Sequence, residues 1–347
     1  MNATISLNIT DINFQVGIDF LFFDVKSYSR FKGIKLIPSG CHLLHITNVL
    51  TNTRIGRFVN FEKNDFVEMS FDPETETIEL KTTDRITTDE QTYITKMVNY
   101  KSQSEAKAQI IQSRLLNVDY KKFIDNDKNQ VTSNDPTPIE SLKLDEEIMK
   151  KHRQDGRKDH KFVDKLLQDL EKLNSNQLKL SIIDGNDKRT FVRDGSKDRT
   201  KDYLDRTWLI NKLHGGSFEG FIEEFKFCFL MTIIINNYGS YLQWKTLMDL
   251  FLNSIGILNH KTEESKELME IIKIQLQVIT SLRVGEEEEQ PKGEFFQVDL
   301  SELHRSFKEC LLNMDTVEDV GLKFRYNEII GILNGLGLDV CDELSEE

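Results

Sequence analysis

The stretch from residue 219 to 236 leaves this chain little choice. Phe221, Ile222, Phe225, Phe227, Phe229, Leu230, Met231, Ile233 and Ile234 fall on every side of a helix. A helix that is apolar all round has to be enclosed by other elements. The chain supplies them: from Asp202 onward the pattern reads as helix, broken at Gly215-Gly216, at Asn236-Asn237 with Gly239, at Gly256, at 285–293 and at 335–337. Five or six helices with short connections pack antiparallel. The segment 263–282 is amphipathic, with Leu268, Ile271, Ile272, Ile279 and Leu282 on one face.

The first hundred residues carry a different period. Ile12, Phe14 and Val16 alternate with polar neighbours until Gly17-Ile18-Asp19. Phe20–Val25, Leu43–Ile46, Arg57–Phe61 and Phe66–Phe71 are short runs rich in aromatic and branched residues, and Asp72-Pro73-Glu74 is turn chemistry before Ile78–Leu80. Short strands with frequent turns predict a sandwich or barrel. Between Asp89 and Ile124 the pattern turns helical. Residues 125–138 read as a polar loop, Leu142–Leu173 as helix interrupted by the charged run Lys150–Lys161, and Leu178–Ile183 as a strand. The fold class is therefore α+β with two domains. A β-rich, sandwich- or barrel-like N-terminal domain spans 1–165, a polar linker with one strand spans 166–201, and an all-helical bundle spans 202–347. A length of 347 residues fits two cores better than one.

Charge and cysteines narrow the function. The formal net charge of −13 disfavours extended contact with phosphate backbones, so no direct nucleic-acid binding is expected. Phe31-Lys32-Gly33-Ile34-Lys35 is the nearest thing to a basic, aromatic RNA-binding stretch, and it lacks a second aromatic strand. The four cysteines (Cys41, Cys228, Cys310, Cys341) include no CxxC pair and read as reduced thiols. No signal peptide is visible, so the glycosylation patterns at Asn2 and Asn8 have no expected consequence. The longest apolar run, Phe227–Ile235, is far short of the roughly 20 residues a membrane span needs.

The chain offers little chemistry. His42 and His45, three apart on a strand, face opposite sides and cannot chelate one ion; Cys41 beside them does not help. The expectation is ordinary strand histidines, one side chain inward. Cys228 sits in the most apolar helix and reads as an inert core thiol. There is no GxSxG turn, P-loop or dinucleotide fingerprint, and Gly331, Gly335 and Gly337 fit helix-terminal roles. No catalytic residue, cofactor or metal is expected. The competing reading is an intracellular enzyme whose site, in the β-rich domain, would gather His42, Asp19 or Cys41. Tyr241 and Trp244 share a helix face; exposed they would be partner contacts, buried they would be core.

Two blocks carry a resemblance. Gly17-Ile18-Asp19 followed by Phe31-Lys32-Gly33-Ile34-Lys35-Leu36-Ile37-Pro38-Ser39-Gly40-Cys41-His42 resembles the N-terminal signature of the AAR-two (AAR2) family of pre-mRNA splicing factors. Phe225–Ser254, with Asn237-Tyr238-Gly239 and Gln243-Trp244, resembles that family's helical block, and Asp205-Arg206-Thr207-Trp208-Leu209-Ile210-Asn211 resembles the opening of that domain in fungal members. The resemblance implies a β-rich domain joined to a helical one and a non-enzymatic role in assembling the U5 small nuclear ribonucleoprotein. The implied partner is the large U5 scaffold protein, bound through its RNase-H-like and Jab/MPN region within a U5 precursor, so that the U5 RNA helicase does not bind too early. It further implies a cytoplasmic protein that shuttles to the nucleus, acts as a monomer without a membrane, and is released by phosphorylation near Ser254. Family tails can add a strand to the partner; here Asp339–Leu344 is a thin candidate.

Overall fold

Alternation of apolar and polar residues builds the strands, and the computed structural model pairs them into two sheets. It describes residues 2–9, 14–24, 32–82, 97–100, 112–144, 176–183, 199–284 and 296–340. The strands are β1 (Ala3–Asn8), β2 (Phe14–Ile18), β3 (Leu21–Asp24), β4 (Gly33–Ile37), β5 (Gly40–Asn48), β6 (Arg54–Phe61), β7 (Phe66–Asp72), β8 (Thr77–Thr82), β9 (Val98–Asn99) and β10 (Gln130–Thr132). One sheet runs β8-β7-β1-β4-β9 and the other β10-β6-β5-β2-β3. The second is antiparallel throughout, whereas β1 runs parallel to β7 and β4 to β9 in the first. Ala3, Ile5 and Leu7 of β1, Ile34 and Ile37 of β4 and Met69 of β7 meet Val16 and Ile18 of β2, Leu44 and Ile46 of β5 and Ile55 of β6 in one core. Of the two expected architectures, a sandwich is what forms.

The helical half has eight helices among the described residues: α1 (Arg199–Leu204), α2 (Thr207–Lys212), α3 (Phe218–Ile233), α4 (Tyr238–Leu252), α5 (Ile255–His260), α6 (Thr262–Val284), α7 (His304–Met314) and α8 (Val320–Gly335). Three are short, which leaves five long ones, close to the number the glycine and asparagine breaks predict. The caps are local and chemical: Ser217 accepts from Gly220 N, Asn237 from Ser240 N and Asp319 from Leu322 N. The apolar helix α3 is buried along nearly all its length, as an all-round apolar surface requires.

The helices do not stand apart from the sandwich. They cover the outer face of the second sheet. Leu43 and Phe58 point away from the sandwich core and join a second core with Phe227, Ile235 and the rest of the helical side chains. Strand β5 is buried on both faces for this reason, from His42 to Thr47. Gly56 of β6 lets the helices approach closely, because a Cβ there would meet the end of the Ile235 side chain and force it to shift.

Two sequence expectations change here. Residues 177–183 form no strand. Their backbone bonds go to loop carbonyls and a side chain rather than to a ladder: Leu178 N to Pro136 O (3.0 Å), Lys179 N to Phe123 O (2.9 Å) and Ser181 N to Glu224 Oε1 (2.9 Å). Leu178, Leu180 and Ile183 are nonetheless buried in the helical core, as are Leu115, Leu116, Val118, Phe123, Ile124 and Val131. The helical core thus draws on chain far N-terminal to Asp202. The helix expected over 142–173 is described only to residue 144, and the charged run 150–161, Phe31 and residues 341–347, with Cys341 and most of the candidate tail strand, lie outside the described residues.

Candidate functional site

The first family block folds into one buried polar knot. Asp19 follows the end of β2 with φ at +55° and is 2% exposed. Its Oδ2 lies 2.7 Å from His42 Nδ1 and receives the Tyr100 hydroxyl at 2.8 Å; its Oδ1 receives Leu43 N at 2.9 Å; its carbonyl oxygen is 3.1 Å from His45 Nε2. His42 Nε2 lies 2.9 Å from Pro38 O. Gly17 is required beside this knot, since a Cβ would fall inside the His45 ring.

The two histidines point to opposite faces, His42 towards Phe61 and Tyr100 and His45 towards Phe22. The expectation of one inward ring fails, because this sheet is covered on both sides and both rings are fully buried. Burial lowers the His42 pKa, and the Asp19 charge with its hydrogen bond and that of Pro38 O outweighs it, so the net shift is upward. Burial, with Arg54 nearby, brings the His45 pKa down to about 3. Asp19 and His42 do converge, as the enzyme reading asks. Both ring nitrogens of His42 are engaged, however, and burial with the Asp19 charge pushes the Cys41 thiol up to about 12. Cys228 and Cys310 are fully buried with thiol pKa values raised chiefly by burial. No cluster of His, Cys, Asp or Glu able to hold a metal occurs among the described residues.

A second polar cluster lies in the helical half. Glu224 of α3 is 0% exposed. Its Oε2 accepts from Ser181 Oγ at 2.7 Å and sits 2.6 Å from His214 Nε2; its Oε1 accepts from Ser181 N at 2.9 Å and Gln243 Nε2 at 2.8 Å. Ser181 Oγ is also 3.2 Å from His214 Nε2. Serine, histidine and carboxylate invite comparison with a nucleophilic triad, but there the serine and the carboxylate use different ring nitrogens. Here both converge on Nε2, so the imidazole cannot relay a proton between them.

The second family block is a joint. Asn237 Oδ1 caps α4 through Ser240 N at 2.8 Å, while its Nδ2 faces the carbonyls of Asp135 (2.8 Å), Ser133 (3.3 Å) and Thr132 (3.4 Å) at the turn after β10. Gly239 keeps this approach open, because a Cβ would strike Glu140 and Thr137. Arg54 Nη1 reaches across from β6 to Ile234 O at 3.0 Å, and Lys226 Nζ to Asn117 O at 2.8 Å. The Asp205–Thr207 segment does the same within the helical half: Asp205 accepts from Gly256 N, Thr207 Oγ1 from Ile257 N, and Arg206 N donates to Asn253 O.

The expected contact residues are mostly inside. Trp244 is 0% exposed, stacks near Phe225 and Phe229, and donates Nε1 to Gln275 Oε1 at 2.9 Å. It is a core residue and no partner contact. Tyr241 is 5% exposed, with its hydroxyl on Asp299 O (2.8 Å) and its ring against Phe296. The accessible aromatic of α4 is Tyr238, 56% exposed, with Leu242 one turn on. Ser254, the implied phosphorylation position, is fully buried between α4 and α5, donating Oγ to Leu250 O at 2.6 Å. The sequence reading passed over Glu224 and Arg54. The signal was there for Glu224, since a charge inside an all-round apolar helix requires a buried partner.

The same two halves are found in known proteins. The chain matches the AAR2 N-terminal domain over residues 2–131 and the AAR2 C-terminal repeat region over residues 180–329. It is similar to the A1 cistron-splicing factor AAR2 of Saccharomyces cerevisiae, at 24% identity over 278 residues, which cover 77% of this chain and 75% of that protein. With both family domains matched in order over most of its length, the chain belongs to the AAR2 family of splicing factors.

Proposed function

We propose that this splicing factor is a non-enzymatic assembly chaperone of the U5 small nuclear ribonucleoprotein. In this reading it holds the RNase-H-like and Jab/MPN region of the large U5 scaffold protein and keeps the U5 helicase off until assembly is complete. It works as a monomer on a cytoplasmic precursor, enters the nucleus with it and leaves there. The observation that carries the reading is where the family's own residues go: Asp19, His42, Asn237 and Gln243 lie in buried joints that hold strands and helices together. Side chains used in this way preserve a shape for another surface to fit, which supports a masking role.

Steric masking asks only for complementary surface with a few apolar anchors. Tyr238 and Leu242 on α4, and Val320 and Phe324 on α8, are exposed pairs one helical turn apart and suit that role. Release by phosphate at Ser254 requires the joint to open first, because that hydroxyl is buried and the Asp205 carboxylate already occupies the adjoining turn.

Purified chain and a scaffold fragment with both domains should co-elute at micromolar concentration, and added chain should reduce helicase binding to that fragment. Tyr238→Ala with Phe324→Ala should weaken co-elution at least tenfold with the fold intact. Separate elution of chain and fragment at these concentrations would remove the reading.

A further inference from the structure

We infer that residues 177–183 are a latch, and that Ser181 is a phosphorylation site whose modification opens it. The latch stands on its own geometry, whether or not the chain binds the U5 scaffold. The segment is neither helix nor strand, and it is held across two parts of the molecule. Leu178 N and Lys179 N bond to Pro136 O and Phe123 O on the β10 side. Ser181 bonds to the helices through its N–H, its hydroxyl and its carbonyl, which receives Gln243 Nε2 at 2.8 Å. Leu178, Leu180 and Ile183 fill the helical core beneath.

The hydroxyl of Ser181 is the sensitive atom. It donates to a carboxylate that water does not reach, 2.7 Å away. A phosphate there would turn a donor into a group of about −2 charge set against Glu224. Glu224 Oε1 also holds the backbone N–H of Ser181 and the side-chain amide of Gln243, so the charge cannot be accommodated by turning that carboxylate away without breaking both bonds. The docked hydroxyl is engaged, so transfer takes place from the transiently lifted segment, and the phosphate then prevents its return. Ser181 is part-exposed, unlike Ser254, and the sequence carries Asp184 three residues on and Asp187 beyond, which suits a serine kinase that prefers acidic substrates. In the step the Ser181 oxygen bonds to the γ-phosphorus of ATP as the bond to the β–γ bridging oxygen breaks. ADP departs and the hydroxyl proton goes to solvent.

The test uses the full chain. Incubated folded with ATP and an acidophilic serine kinase, it should take up phosphate on the peptide containing Ser181, and Ser181→Ala should take up none there; an unlabelled peptide overturns the site. Chain carrying phosphoserine at 181 should exchange the amides of Lys179, Leu180 and Ser181 at least tenfold faster than the unmodified chain. Ser181→Ala, which keeps its N–H on Glu224, should exchange nearer the unmodified rate. Glu224→Gln, which replaces the carboxylate with an amide able to donate, should restore protection to the phosphorylated form. Equal exchange with and without phosphate means that His214 or another group holds the phosphate in place, and the latch is wrong. Equal release in the Glu224→Gln background means that charge against Glu224 is not the cause, and it too overturns the inference.

Discussion

Two histidines three residues apart on β5 have their pKa values pushed in opposite directions by what touches them. His42 faces the Asp19 carboxylate and its pKa is raised; His45 faces the carbonyl oxygen of the same residue, with Arg54 near, and its pKa falls to about 3. The consequences for stability have opposite signs. The His42 pair contributes fully below the unfolded value of about 6.5, and its contribution is lost as pH rises through the folded value. For His45, between pH 6.5 and 3 the unfolded chain binds the proton and the folded chain does not, so stability falls with pH by up to about 1.4 kcal/mol per unit. From these two groups alone, the urea midpoint should peak near pH 6.5. Asp135, held up to about 6 by burial, titrates in the same window with the opposite slope, so the difference between variant and parent is the informative quantity. Between pH 5 and 6.5 the acid limb should flatten in His45→Gln, and above pH 6.5 the alkaline limb should flatten in His42→Gln. Parallel curves for parent and His45→Gln would show that this ring does not titrate as its burial demands.

At the scale of the element, α4 begins where two jobs fall to one side chain. Asn237 accepts from Ser240 N as a cap, and it donates to the carbonyls of the turn after β10. A cap alone is worth about 1 kcal/mol. Leaving a buried carbonyl without its donor costs roughly 1–3 kcal/mol more. Asn237→Ala should therefore lose about 2–4 kcal/mol in urea unfolding. Asn237→Asp separates the two jobs, because a carboxylate caps as well as an amide does but cannot donate, and its charge faces the carbonyl oxygens. If the joint dominates, Asp is at least as damaging as Ala; if the cap dominates, Asp is nearly neutral. The neighbouring Gly239 fits the same logic, since any side chain there would push against Glu140 and Thr137. The motif Asn-Tyr-Gly is thus a junction between elements, and only its tyrosine remains available to a partner.

Across the whole molecule, the sequence made some features plain and hid others. The enclosed helix α3 and the alternating strands were legible because periodicity reports burial directly, and the α+β class followed from them, whereas the choice of a sandwich over a barrel came only with the pairing of the strands. The inert character of Cys228 was legible from its apolar neighbours. The burial of Trp244 and Ser254 was not, since spacing along a helix says which residues share a face but not what covers that face. Nor was the role of Leu178–Ile183, because an irregular segment anchored by a side-chain carboxylate has no period. The largest omission was the contact between the halves. Leu43, Phe58, Leu115, Leu116, Phe123 and Val131 lie N-terminal to the polar region whose composition reads as a linker, yet they belong to the helical core. Phe58 stacks on Tyr120 at 4.7 Å between ring centres and approaches Phe227 at 6.2 Å, and Arg54 reaches Ile234 O. A shared core couples the two halves, because exposing α3 on one side strands the outer face of β5 and β6 on the other. Calorimetry should accordingly give one cooperative transition, with calorimetric and van't Hoff enthalpies in agreement. The segment 202–347 expressed alone should lose that transition, since it would present Phe227 and Ile235 to water. Arg54→Met, which removes the reach to Ile234 O, should lower the single melting temperature without splitting it. Two separated transitions in the intact chain, or an isolated helical segment that melts as sharply as the whole, would show that the sheet is a neighbour of the helical core and not a wall of it.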